Sequence, residues 1–80
     1  MYMEYSNKIT GLVIRKLRKE KKMSQDVLSG LAGIGRSHLA MIECGTKNAN
    51  VDTLWRIAEA LGLPLSELLT LVEQEHQQQL

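Results

Sequence analysis

Residues 25–43 read QDVLSGLAGIGRSHLAMIE, and this stretch decides the architecture. Ser24 stands just ahead of it, where a hydroxyl accepts a bond from an orphan N–H of a helix's first turn. Asp26 in that turn complements the helix dipole. A helix from Gln25 to about Ala32 then turns Leu28, Leu31 and Ala32 inward. Gly33 follows its last turn, as a left-handed C-terminal position favours. Ile34 packs next, Gly35 serves as N-cap, and a further helix from Arg36 to about Glu43 carries Leu39 and Ile42 three residues apart. The pattern is two short helices crossing at the small residue Ser29, with Gly33 in the turn between them.

Outward from this unit, turn signals separate further blocks of helical spacing, and no strand-length alternation is found. Upstream, a helix from about Ile9 to Lys21 places Ile14, Leu17 and the Lys21 stem on one face, with Leu12 and Val13 off that stripe. Downstream, residues 44–50 form a loop. Asp52 caps a fourth helix carrying Leu54, Ile57, Ala58 and Leu61, which Gly62 ends. Pro64 opens a fifth, with Leu65, Leu68, Leu69 and Val72 apolar. The expectation is an all-α, five-helix domain over residues 9–72, preceded by an arm at 1–8 and followed by a polar, fraying tail at 73–80.

Composition bounds the function. Eighty residues allow one small domain. With no Phe, one Trp and two Tyr, an aromatic base-stacking platform is excluded. The single cysteine, Cys44, excludes an internal disulfide and points to a reducing, cytoplasmic setting. Residues 1–8 hold no apolar segment of signal-peptide type and no apolar run approaches membrane-spanning length, so no membrane partner is expected. Cys44, His38 and His76 fit no zinc spacing, and no nucleophile–base set appears, so neither a metal, a cofactor nor an enzyme is expected. Net charge is only +1, yet residues 1–50 hold nine of the ten Lys/Arg against four acids, and residues 51–80 one Arg against five. Such a dipolar chain sets a basic face toward a polyanion.

The outer face of the third helix carries Arg36, Ser37, His38 and Met41, beginning at the helix N-terminus, where base edges are reached in a major groove. Residues from about Thr10 to Leu69 resemble the lambda-repressor-like family, the Cro/repressor (XRE-type) helix-turn-helix domain. The resemblance is carried by Ile14-Arg15-Lys16-Leu17-Arg18, Ser24-Gln25, Leu28, Ala32-Gly33-Ile34, Ile42-Glu43, Gly45, Thr53-Leu54, Ile57-Ala58, Ala60-Leu61-Gly62 and Leu68-Leu69. It implies a double-stranded DNA binder with Arg36, Ser37 and Met41 toward bases, and Gln25, Thr46, Lys47 and Asn48 toward phosphates; His38, on the same outer face, is read as a further base contact. It also implies a largely buried ion pair between Arg18 and Glu43, and a buttressing role for Gln25. Lys16, Lys19, Lys21 and Lys22 are read as long-range attraction without sequence information. Three positions depart from the family pattern: Ser29 where alanine is usual, Cys44 at an often basic site, and Ala49 where proline is common. The Ser29 hydroxyl needs a partner, and the loop is expected to be softer.

One such domain reads few bases, and two-fold pairing doubles the readout. Leu12, Val13, Trp55, Leu65, Leu69, Leu71 and Val72 exceed the needs of one small core. A homodimer is therefore expected, with Trp55, Leu65, Leu69 and Val72 at its interface. The favoured function is a transcriptional regulator of repressor or controller type on a two-fold symmetric operator. The alternative is a protein-interaction module or an antitoxin that sequesters a protein partner. A contact with RNA polymerase is conceivable, and no residue argues for it.

Overall fold

The computed structural model describes residues 6–79, and these fold into five helices in one layered cluster. They are α1 (Asn7–Glu20), α2 (Gln25–Ala32), α3 (Arg36–Cys44), α4 (Val51–Ala60) and α5 (Leu65–Gln78). Residues 1–5 of the expected arm, and Leu80 of the tail, lie outside the described residues. Helix α1 packs against α3 and α5, and α2 against α3 and α4, while α4 closes onto α5. Ile14, Leu28, Leu39, Ile42, Ile57, Leu61 and Leu68 are essentially inaccessible at the centre. Each such side chain stabilises the fold by about 1.5–3 kcal/mol relative to exposure.

Local chemistry starts most helices where the sequence signals them, with three differences. Ser6 caps α1 by accepting from the Ile9 N–H, so the helix begins at Asn7. The cap of α4 is Asn50 rather than Asp52: its Oδ1 accepts from the Thr53 N–H at 2.8 Å. Asp52 instead lies in the first turn and pairs with Arg56 one turn on. The tail expected to fray is helical to Gln78. Lys16 Nζ reaches Glu75 Oε1 at 3.0 Å, and the Gln79 amide donates to Glu75 Oε2, so the last turns of α5 are tied to α1.

The inward faces also differ from the sequence expectation. On α1 the buried set is Thr10, Gly11, Val13, Ile14 and Arg18, with Leu17 half-buried and Lys21 exposed. Because α1 is covered from two sides, by α3 and by α5, its apolar face is wider than a single stripe. Val13, placed off the stripe from sequence, is core. Leu31 of α2, expected inward, is 62% exposed, since Leu28 and Ala32 already fill that contact. Val72, assigned to the dimer face, is core as well.

One feature of α1 is invisible in its own pattern. A Cβ on Gly11 would stand 2.6 Å from the Glu43 carbonyl oxygen and closer still to that of Ile42. The missing side chain lets the α1 and α3 backbones touch.

Candidate nucleic-acid interface

The turn between α2 and α3 is built by short-range bonds. Ser24 Oγ accepts from the Val27 N–H at 3.1 Å and starts α2. Gly33 adopts φ 71°, so the Ile34 N–H reaches back to the Ser29 carbonyl and the Gly33 N–H to that of Gly30. This double closure reverses the chain, and only glycine takes that conformation without steric cost. Buried Ser29 satisfies its hydroxyl by donating to the Asp26 carbonyl at 3.2 Å. Leu39 and Ile42 then fix α3 on the core, which turns its opposite side to solvent. Arg36, Ser37 and Met41 are exposed there, and His38 is half-buried.

A buried polar cluster locks α3 from behind. Arg18 Nε and Nη2 donate to the two oxygens of Glu43 at 2.8 and 3.0 Å, and Nη1 donates to the Met23 carbonyl at 2.9 Å. The Gln25 amide adds a bond to Glu43 Oε1 at 3.1 Å. The Arg18 pKa is raised above its ordinary value, chiefly by the hydrogen bond to Glu43, with burial opposing. Arginine is thus charged at every working pH, and a planar two-pronged fork meets a carboxylate edge-on. The end of α1, the start of α2 and the end of α3 meet in this cluster.

Two adjacent residues at the start of α2 reach opposite ends of α3. Gln25 touches α3 near its C-terminal end through Glu43, while its neighbour Asp26 pairs with Arg36 at the other end, Oδ1 to Nε 3.2 Å. Past Gly45, the Thr46 N–H and hydroxyl both donate to the Met41 carbonyl, closing α3 and fixing the loop's start. Lys47 and Asn48 follow, exposed. The Asp26–Arg36 pair was not legible in the sequence, because each residue has a sufficient local explanation, one as a first-turn acid and the other as a helix-tip cation. Lys16, read as free positive charge, shares its ammonium with Glu75.

The expected dimer residues divide. Trp55 is 55% and Leu69 38% exposed, while Leu65 is half-buried against the core. With Leu63 and Pro64 they line an open groove of about 760 Å³ between α4 and α5. Val72 faces the interior and takes no part. Among the described residues no group of three or more His, Cys, Asp or Glu is placed to hold a metal ion, and no helix is long and apolar enough to cross a membrane.

Comparison with known proteins places this geometry. The helix-turn-helix model HTH_3 matches residues 14–68. The chain is 35% identical over 63 residues to an uncharacterized HTH-type transcriptional regulator, y4dJ, of Sinorhizobium fredii (strain NBRC 101917 / NGR234), covering 79% of this chain and 82% of that one. It is 36% identical over 66 residues to the control protein C.MunI of Mycoplasma sp, covering 81% and 89%. The crystal structure of the restriction-modification controller protein C.AhdI from Aeromonas hydrophila superposes with a TM-score of 0.75 at 32% identity, over 78% of this chain and 94% of that one.

Proposed function

The chain belongs to the helix-turn-helix family HTH_3 and is a DNA-binding transcriptional regulator of the repressor or controller type, and from that premise we propose how it reads DNA. Helix α3 enters the major groove with Arg36, Ser37, His38 and Met41 toward the base edges. Arg36 donates to guanine O6 and N7, a contact that discriminates by about 1–3 kcal/mol, and Met41 offers an apolar surface to a thymine methyl. Gln25, Thr46, Lys47 and Asn48 engage the flanking phosphates and set the register. The observation that carries this reading is the solvent-open outer face of α3, with Arg36, Ser37 and Met41 exposed while Leu39 and Ile42 hold the helix from behind.

The finer proposal is a homodimer on a two-fold operator, paired through Trp55, Leu65 and Leu69, with half-sites about one helical turn apart. Its support is an exposed tryptophan beside exposed leucine, rimmed by Glu59 and Ser66.

Selection of duplexes from a random pool yields the operator, and a salt titration on it tests the binding mode. Two half-sites making about eight phosphate contacts give a log–log slope near −7. Arg36→Ala is expected to lower specific affinity by about tenfold or more while leaving the melting temperature close to wild type. Negligible affinity for any duplex at low salt contradicts the reading and favours a protein-binding module.

A further inference from the structure

Asp26 is the second residue of α2 and Arg36 the first of α3, yet their charged groups meet, Oδ1 to Nε 3.2 Å. Both side chains are largely exposed, 71% and 65%, so the pair contributes little to folding stability. The remaining described ion pairs serve elsewhere: Arg18 with Glu43 behind α3, Lys16 with Glu75 between α1 and α5, and Arg56 with Asp52 along α4. A carboxylate on the duplex-facing edge subtracts from the attraction to a polyanion. Its place in the first turn of α2 explains a helix-dipole contact, but not its pairing with the leading residue of α3.

We propose that Asp26 is a positioning and specificity-determining residue that makes the base contact of Arg36 conditional on guanine. The inference rests on the assignment of Arg36 as a base reader. The nearest approach of the pair is Asp26 Oδ1 to Nε, and among the described residues no hydrogen bond is found from either terminal amino group of Arg36. Those two groups suffice for a two-pronged contact to guanine O6 and N7. Orientation is thereby set before DNA arrives, which reduces the ordering lost on binding by a long, flexible side chain. Discrimination follows from the alternative. If Arg36 swings to a phosphate instead, Asp26 is stranded without a cation among phosphates in a partly desolvated interface. On guanine the ion pair is retained. The carboxylate therefore penalises wrong sites more than the right one, which is how a repulsive element sharpens recognition.

The test uses the full chain and the operator selected by the wild type, with each half-site position replaced in turn by the other bases. Arg36→Ala first identifies the position that Arg36 reads. Asp26→Asn is then expected to reduce the guanine preference at that position by about tenfold and to tighten binding to a random duplex a few-fold. Preferences at other positions stay as in the wild type. In the Arg36→Ala background, Asp26→Asn no longer alters the preference profile. A purely structural role for Asp26 instead weakens all duplexes alike. If Arg36→Ala removes the guanine preference and Asp26→Asn preserves it, the present inference is overturned while the reading of Arg36 stands. If Arg36→Ala leaves every base preference intact, the reading of Arg36 itself fails, and the role of Asp26 fails with it.

Discussion

Arg18 lies in a helix rich in lysine, yet its guanidinium spends every nitrogen inside the protein, two on Glu43 and one on the Met23 carbonyl. Glu43 in turn accepts from Arg18 and Gln25, so truncating it strands a buried arginine and a glutamine amide together. Glu43→Ala is expected to destabilise the domain by about 3–5 kcal/mol, measured by urea unfolding. That is a large share of the stability of an 80-residue chain, at about 0.05–0.15 kcal/mol per residue. A variant that unfolds like the wild type but fails to bind DNA contradicts the structural role. Lys22 supplies the opposite case. It closes α1 at φ 57°, in the left-handed region that disfavours a residue with a Cβ. Lys22→Gly relieves that strain and gives back some unfolded-chain entropy, for a net gain of about 0.5 kcal/mol in the same assay.

Two glycines show how an element's surroundings, rather than its propensity, fix the sign of a mutation. Both lie inside helices, and in isolation alanine improves either by about 1 kcal/mol. At Gly30 of α2 an added Cβ meets nothing within 4 Å, so Gly30→Ala is expected to stabilise by nearly that amount. At Gly11 the same methyl collides with the carbonyls of α3. Gly11→Ala must push α1 from α3, and is expected to destabilise by about 2 kcal/mol despite the better propensity. Equal thermal shifts for the two variants disprove the close α1–α3 approach. The docking of α5 on α1 has a pH signature. The Glu75 carboxyl is held below the usual carboxylate range, first by the Gln79 amide and then by the Lys16 ammonium. A lowered folded-state pKa stabilises above the ordinary glutamate value of about 4.3 and loses that contribution as pH falls below it. In a carboxyl NMR titration, Gln79→Ala and Lys16→Met each raise the Glu75 pKa. No movement in Lys16→Met removes the tie between the helices.

At the scale of the whole molecule, the basic and acidic halves of the chain meet in one body. Arg36 and Lys47 stand exposed at the two ends of α3, Lys16 is paired with Glu75 of α5, and the apolar surface of α4 and α5 is where a second copy is proposed to dock. Large aromatic side chains dominate such contacts. The double variant Trp55→Ser, Leu69→Ser is expected to weaken self-association by about tenfold or more while melting near the wild-type temperature, since both side chains are substantially exposed. Sedimentation across micromolar concentrations reads the change. A wild-type chain that sediments as a single copy throughout rules out the α4–α5 pairing, and a variant that loses operator affinity without losing self-association separates the two surfaces.

What the sequence by itself determined was local. Ser24, Gly33, Gly35 and Gly62 mark helix ends through bonds spanning three to five residues, and the spacing of Leu28, Leu39, Ile42, Ile57 and Leu68 requires a shared interior. The outer face of α3 was legible for the same reason: once Leu39 and Ile42 are inside, the helical period places Ser37 and Met41 outside, and Arg36 stands at the open first position of the helix. Only the tertiary structure decided how far each apolar face extends, because a helix's period fixes the order of side chains around it and its neighbours fix which are covered. Val13 and Val72 went inward under two-sided packing, while Leu31 stayed out. It also decided the contacts between residues with complete local explanations, Asp26 with Arg36 and Gly11 with the α3 backbone. Those meetings depend on the crossing of separate helices, a geometry set by the packed core.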